Sequence, residues 1–337
     1  MRRPDQLWYD RSLPARACCL LLWPLSLLFA CITAVRRTAF HRNWFAVSRL
    51  TVPVVVVGNI SVGGTGKTPL TIALAQTLAQ RHYRPGIITR GYGGSAGAPQ
   101  AVDADSDPAV TGDEALLLAR HSGCPVWIGA NRVAAARGLL AAHPDCNLLL
   151  SDDGLQHYAL GRDIEIAVID AARGFGNGLQ LPAGPLREPV TRLAGVAAIV
   201  VNGDDPLPPA LPTEAAVFRM TLCGERFTNL RDPQQHVTAA WFAGRAVHAA
   251  AAIGNPQRFF DHLRTLGIAH QAHAFPDHHV YRAGDLDFGP QSVVIMTAKD
   301  AVKCERFAQD NHWVLQVEAV IDGDLTGLIT QQLGRPH

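Results

Sequence analysis

The stretch VVVVGNISVGGTGKTPL, residues 54–70, constrains this chain more than any other. Four β-branched residues in a row favour a buried strand. The glycines after them favour a tight loop, and PLTIALAQTLAQRH beyond has helical spacing, with Pro69 in a first turn where a missing N–H costs little. Strand, glycine loop and helix in that order make a phosphate cradle. Consecutive backbone N–H groups turn inward, the helix N-terminus adds positive potential, Lys67 reaches the β and γ phosphates, and the Thr68 hydroxyl serves Mg2+. The spacing departs from GxxxxGK[ST], because Ser61 stands where the first glycine would be. The expectation is a nucleoside triphosphate site built from Ser61, Val62, Gly63, Gly64, Thr65, Gly66, Lys67 and Thr68; a glycine turn without a ligand is the bland alternative.

Beyond the loop, short apolar runs alternate with helical patterns: RPGIIT, PVWIG, NLLLSDD, IEIAVID and AAIVVN read as strands, DEALLLARHS and NRVAAARGLLAAH as helices. Such alternation predicts an α/β fold of the P-loop type, a mostly parallel sheet with helices on both faces. DDPLPPALPTEAA, residues 204–216, is proline-rich and aperiodic and reads as the exit from a first domain. VFRMTLCGERFTNLRD predicts a two-stranded crossing that turns at Cys223-Gly224, and a second, smaller α/β unit follows with AVHAAAAIG, PQRFFDHLRTLG, SVVIMTAKD and HWVLQVEAVI. At 337 residues two units are expected. The boundaries drawn are residues 1–45 for an N-terminal segment, 46–215 for the nucleotide-binding domain, 216–235 for the linker and 236–337 for the second domain.

The N-terminal segment is chemically distinct. Its first 50 residues hold eight arginines against Asp5 and Asp10, a balance of +6 in a chain whose net charge is +1. Within it, residues 17–35 are nineteen positions without a charge, flanked by Arg16 and by Arg36-Arg37, long enough to reach across a hydrocarbon core of roughly 30 Å. Pro24 permits either a kinked span or a helix lying in the interface with its arginines at anionic head groups. A membrane-associated helix is expected, against the alternatives of a buried core helix or a cleaved leader. The overall charge gives no case for nucleic acid. The seven cysteines show no CxxC spacing and imply neither a zinc site nor a disulfide framework.

Carboxylates mark the chemistry. Asp152 and Asp153 follow the run Leu148, Leu149, Leu150 and Ser151, as a metal-holding element beside a phosphate loop would. Asp113-Glu114 opens a helix, where Thr111 and Asp113 also suit capping, and Asp170 ends a strand. FPDHHVY sets Asp277 beside His278, an arrangement that can fix a tautomer although sequence neighbours often point apart.

GNISVGGTGKTP, RGYGG, GDEALLLA, GANR, SDDGLQH, LPAGPLREP, IGNPQRFFDHL, FPDHHVY and MTAKDAVKC, taken together and in order, resemble the tetraacyldisaccharide 4'-kinases from about residue 51 to 304. The resemblance implies transfer of the γ-phosphoryl of ATP to the 4'-hydroxyl of tetraacyldisaccharide 1-phosphate, giving lipid IVA in lipid A biosynthesis. It places the reaction at the cytoplasmic face of the bacterial inner membrane, with ATP and Mg2+ as cofactors. It implies Asp113 with His278 as a catalytic dyad beside Lys67, and Thr68, Asp152, Asp153 and Glu114 around the metal. Arg132, His157, Arg187, Glu188 and Asp277 would line the cleft. Two departures stand out: Ala298 replaces the family's glutamate in TAKDAVK, and Ala115 replaces the proline after GDE.

Three other readings compete. A membrane-bound nucleotide switch would carry a guanine-reading NKxD, and AAIVVNGDD offers Asn202 without the lysine. A kinase of soluble metabolites leaves the basic apolar N-terminus without a purpose, and a non-enzymatic anchor leaves the phosphate loop without one.

Overall fold

The computed structural model describes residues 4–10, 12–208, 211 and 214–334; Arg2, Arg3, Arg11 and part of the proline-rich 204–216 stretch lie outside the described residues. The chain begins with α1 (Pro4–Tyr9) and α2 (Leu13–His41), then β1 (Val54–Gly58), α3 (Lys67–Gln80), β2 (Pro85–Thr89), β3 (Gln100–Val102), α4 (Pro108–Thr111) and α5 (Asp113–His121). It continues through β4 (Val126–Ile128), α6 (Arg132–Ala142), β5 (Leu148–Asp152), β6 (Ile164–Asp170), β7 (Ala198–Asn202) and β8 (Ala216–Asn229). The last part holds β9 (His236–Val237), β10 (Ala246–Ala251), α7 (Pro256–Thr265), β11 (Gln271–Ala274), β12 (Ser292–Thr297), α8 (Ala298–Cys304), β13 (His312–Asp322) and α9 (Leu325–Leu333).

Strands run in one sheet in the order β11-β10-β12-β13-β8-β7-β6-β1-β5-β2-β4-β3, with β9 beside β8. The neighbours of β1 on both sides, β5 and β6, are parallel to it. The chain order reverses there, which opens a crevice at the carboxyl ends of the strands. The phosphate loop, Asp152, Asp170 and Asn202 all sit at those ends.

The joint between the halves differs from the sequence expectation. The residues expected to cross as two strands around Cys223-Gly224 form one strand, β8, antiparallel to β13, with a bulge where the pairing steps from Gln316 to Glu318. A Cβ on Gly224 would lie 1.9 Å from the Gln316 carbonyl oxygen, so the glycine serves a close approach inside a bulge. Two apolar layers cover the first half, one around Leu70, Leu74 and Ile166, the other around Val56, Leu149 and Ile169. Two further layers cover β10, β12 and β13. The final helix returns to the first half: Leu325 and Ile329 complete its core, and Thr77 meets Thr326 across a 3.0 Å hydrogen bond. We propose that α9 belongs with residues 46–215 as one packing unit.

The long N-terminal helix α2 continues through Pro24 and is long and apolar enough to cross a membrane. One stripe is fixed to the body. Ser26 donates to the Gln180 carbonyl (2.9 Å) and accepts from the Ala183 amide (2.8 Å), Gln180 donates to Thr33 (3.4 Å), and Arg37 faces Glu188 at 3.9 Å. The opposite stripe exposes Leu21, Leu25, Leu28, Ile32 and Val35, and the turn after the helix exposes Trp44 and Phe45.

Candidate active site

The loop after β1 is held from both sides. Gly63 and Gly66 take positive φ values of 102° and 93°, and Gly66 caps the amino end of α3. A Cβ at Gly66 would lie 2.4 Å from the Asn202 amide nitrogen, which donates to the Thr65 carbonyl at 2.9 Å. On the other flank, Ser61 bridges to Leu186, the Val62 amide donates to the Pro185 carbonyl (2.8 Å), and the Arg187 amide donates to Ile60 (2.7 Å). The LPAGPLREP segment is thus aligned on the phosphate loop, which carries Arg187 into the site.

Lys67 and Thr68 begin α3 and meet different members of the acidic pair. Lys67 lies 3.6 Å from Asp153, whose carboxylate also accepts from Arg187 at 3.2 Å. Thr68 and Thr71 donate to Asp152 at 3.5 and 3.0 Å. Asp153 has φ 49°, a left-handed conformation unusual for a side chain other than glycine's. That turn sends two adjacent carboxylates in different directions. Burial, reinforced by the charge of Glu114, pushes Asp152 up to about 7 despite Lys67. Burial also acts on Asp153, but Lys67, Arg187 and Arg132 overcome it and hold this carboxyl at about 2.

The donor set fits Mg2+. Thr68 and Asp152 offer hard oxygens, and a fully buried carboxylate with no ammonium or guanidinium in contact is stabilised by a cation. No group of three or more His, Cys, Asp or Glu side chains converges as a metal cage among the described residues. That suits a metal that takes its remaining ligands from phosphate and water.

A second cluster forms where two loops touch. RGYGG and the start of α5 pack backbone to backbone: a Cβ on Gly112 would lie 2.4 Å from the Tyr92 carbonyl oxygen, and one on Gly94 would lie 2.2 Å from that of Val110. This contact fixes Asp113, the first residue of α5, which is buried. Its Oδ1 accepts from the Glu114 amide (2.9 Å), and its Oδ2 accepts from His278 Nδ1 (3.2 Å). His278 also holds a positive φ, 59°, and its ring packs 4.9 Å from that of Tyr92. Such strain persists where surrounding contacts over-determine it. Burial pushes the Asp113 carboxyl up, but the His278 hydrogen bond and the charges of Lys299, His278 and Lys303 outweigh it and hold the group below the ordinary range. The same hydrogen bond raises His278 against its own burial.

The remaining expected residues divide. Arg132 is buried and donates to the Gly129 carbonyl (2.8 Å); burial lowers it to about 10 although Asp153 and Asp152 favour its charge. Burial and four arginines, Arg132, Arg162, Arg36 and Arg90, push His157 down to about 4, so its ring is neutral at pH 7. Asp277 pairs with Lys299 at 3.2 Å, and Glu114 pairs with the same ammonium at 2.9 Å. Glu188 stands apart. It is buried among Gln156 (2.7 Å), Tyr158, Arg192 and Arg37 and ties α2 to the body. Ala298 packs against Leu116, Leu117 and Val302, so an apolar contact occupies the position of the family's glutamate.

Sequence reasoning missed Asn202 as a support of the loop, and it gave IGNPQRFFDHL, the segment after β10, no role at the site. Gly254 lies against Gly64, where a Cβ would meet the Gly64 nitrogen at 2.3 Å, and Arg173 donates to the Gly254 carbonyl. Arg258 pairs with buried Asp170 at 3.0 Å and donates to the Asn202 carbonyl at 3.1 Å. A cavity of about 220 Å³ lies between the phosphate loop and this segment, lined by Gly64, Thr68, Leu222, Asn255 and Phe259.

Comparison with known proteins gives a consistent result. The tetraacyldisaccharide-1-P 4'-kinase family matches residues 18–334. A tetraacyldisaccharide 4'-kinase of Chromobacterium violaceum is 51% identical over 346 residues, covering 100% of this chain and 99% of that protein. One of Methylobacillus flagellatus is 49% identical over 316 residues, covering 94% of this chain and 92% of that protein. The crystal structure of "apo" form LpxK from Aquifex aeolicus in complex with ATP superposes with a TM-score of 0.80 at 27% identity, covering 94% of this chain and 100% of that one.

Proposed function

The chain belongs to the tetraacyldisaccharide 4'-kinase family, and on that premise we propose that it moves the γ-phosphoryl of ATP to the 4'-hydroxyl of tetraacyldisaccharide 1-phosphate, forming lipid IVA. The observation that carries this reading is a glycine phosphate loop at the head of α3 beside a buried Asp113 that is held by His278 from the opposite half of the sheet; Glu114, next to Asp113, and Lys299, which faces His278, line the same cavity as the loop.

The 4'-oxygen attacks the γ-phosphorus, the bond from that phosphorus to the β–γ bridging oxygen breaks, ADP leaves, and the hydroxyl proton passes to Asp113. Phosphoryl transfer needs little covalent help, so positioning and charge neutralisation supply most of the rate. Loop amides from residues 61–66 and Lys67 hold the β and γ phosphates. Thr68 and Asp152 would hold Mg2+, which would neutralise phosphate charge when bound. Asp153 stays ionised between Lys67 and Arg187 and keeps both cations aimed at the phosphates. Asp113 is ionised at neutral pH, as a general base requires. Arg132 and Arg187 supply charge for the triphosphate or for the substrate's own phosphate.

The N-terminal helix sets where this happens. Because α2 is pinned along the body from Ser26 to Arg37 while its outer stripe is apolar, we propose that it lies in the membrane interface instead of crossing it, with Trp44 and Phe45 at the same level. The sugar head group of a four-chain lipid can then be reached at the cytoplasmic face without extracting the lipid. The test is ADP release with Mg2+ and ATP, with and without tetraacyldisaccharide 1-phosphate in micelles. Release that depends on the lipid is expected; release at the same rate without it overturns the kinase reading.

A further inference from the structure

The Asp113–His278 pair admits two chemical roles. In one, Asp113 orients the imidazole and Nε2 is the free base; in the other, the imidazole orients Asp113 and the carboxylate is the base. The surroundings of Nε2 distinguish them. The Lys299 ammonium lies 3.5 Å from His278 Nε2, nearer than the Asp277 carboxylate at 3.8 Å, which itself pairs with Lys299 at 3.2 Å, and an ammonium has only protons to give. A nitrogen facing it presents its lone pair, so the single proton of the neutral ring sits on Nδ1, the atom bonded to Asp113 Oδ2 at 3.2 Å. The lone pair that would otherwise receive the substrate's proton is already engaged.

Lys299 is held to this place. Glu114 grips it at 2.9 Å and Asp277 at 3.2 Å, and its side chain is only 15% exposed. The first turn of α8, which carries it, is fixed by fully buried Asp300. That carboxylate accepts from the Thr297 hydroxyl (2.7 Å) and the Ala252 amide (3.0 Å), and it pairs with Lys303 at 2.9 Å. His278 and Lys299 both come from the second half, Asp113 and Glu114 from the first. Two neighbouring residues on α5 are thus gripped by two residues from across the cleft, and the dyad is assembled only while both grips hold.

We infer that Lys299 is a positioning residue for the transfer: it engages His278 Nε2, fixes the ring with Nδ1–H on Asp113, and leaves the Asp113 carboxylate as the proton acceptor. This rests on the kinase reading above and adds to it a residue that acts through another.

The test combines kinetics with a spectroscopic readout. Full-length protein labelled with ¹⁵N-histidine is examined by long-range ¹H–¹⁵N correlation, and kcat and the KM for ATP are measured for wild type, Lys299→Met, Lys299→Arg, His278→Ala and the double variant Lys299→Met/His278→Ala. The inference expects, at alkaline pH where the ring is neutral, an unprotonated, hydrogen-bonded Nε2 in the wild type whose resonance moves in Lys299→Met. It expects kcat to fall about 10- to 100-fold in Lys299→Met, the scale on which an outer partner orients a catalytic group, with the KM for ATP unchanged. Lys299→Arg, which keeps a cationic donor, recovers most of the rate. In the His278→Ala background, Lys299→Met costs less than twofold, because the residue it acts through is gone. A proton on Nε2 of the neutral ring in the wild type, an unmoved resonance in Lys299→Met, or losses that multiply in the double variant would overturn the inference. The wild-type spectrum reports on the contact even if a variant fails to fold. An inactive wild type with the expected spectrum would count against the kinase reading and leave the contact standing.

Discussion

The two tandem acidic pairs of this protein, Asp152-Asp153 at the end of β5 and Asp113-Glu114 at the start of α5, are built differently. In the first, the buried member accepts side-chain hydrogen bonds from two hydroxyls among the described residues, Thr68 and Thr71, and its carboxyl is pushed up to about 7; the cations Lys67 and Arg187 go to its neighbour. In the second, the buried member is itself surrounded by His278, Lys299 and Lys303, and its carboxyl is held down. Burial raises both. The reach of cations decides which becomes an anion without further help, and therefore which suits a metal and which suits a base. The β5 pair draws its partners from the first half alone, whereas the α5 pair is completed only by residues from the second.

The largest break in this contrast is expected from Asp113→Asn. A positioned base contributes about 10²- to 10⁴-fold, so kcat should fall on that scale while ATP affinity, measured separately by calorimetry, stays near wild type. Asp152→Asn should act on the other pair: the Mg2+ concentration for half-maximal rate rises, by about tenfold or more, and an unchanged Mg2+ titration would remove Asp152 from the metal. Arg187→Ala should raise the KM for ATP by roughly tenfold, the scale of one charge-assisted hydrogen bond, with kcat less affected.

The smallest effects sharpen the comparison, because the adjacent members of the β5 pair should respond to pH with opposite signs in Mg2+-free protein. Asp152 has its folded value raised to about 7 from the usual 3.8, so the folded state holds an extra proton between those values and stability falls as pH rises through 7. Asp152→Asn should therefore melt higher than wild type at pH 8, with the gain gone by pH 4. Asp153 is depressed to about 2, so its contribution is present above 3.8 and is lost as pH falls through 2. Asp153→Asn should melt lower at pH 8, with the deficit shrinking toward pH 2. Melting curves of the two variants that shift in the same direction at pH 8 would contradict the assignment.

What was legible in the sequence follows from how local each feature is. The phosphate loop and Asp152 are readable because strand, glycines and helix lie within one short segment and the second strand ends on its carboxylate. Asp113 and His278 are 165 residues apart, and only the likeness to a known family brought them together; their spacing carries no such signal. Lys299 had none either, since its partners come from two distant segments, Glu114 on α5 and Asp277-His278 in the loop after β11. Gly224 was misread as a turn because glycine in a strand signals either a turn or a bulge, and only the position of Gln316 decides between them. The resemblance implies Glu188 in the cleft because it falls in the motif LPAGPLREP with Arg187, but successive side chains on an extended segment point to opposite faces, and Glu188 faces α2. The return of α9 to the first half depends on a tertiary contact that its own nine residues do not announce.

The most direct test of the central claim is the fate of label from γ-³²P-ATP incubated with the wild-type protein, Mg2+ and tetraacyldisaccharide 1-phosphate in micelles. The account predicts that the label is recovered in a lipid carrying two phosphates. Label recovered only as inorganic phosphate would contradict it.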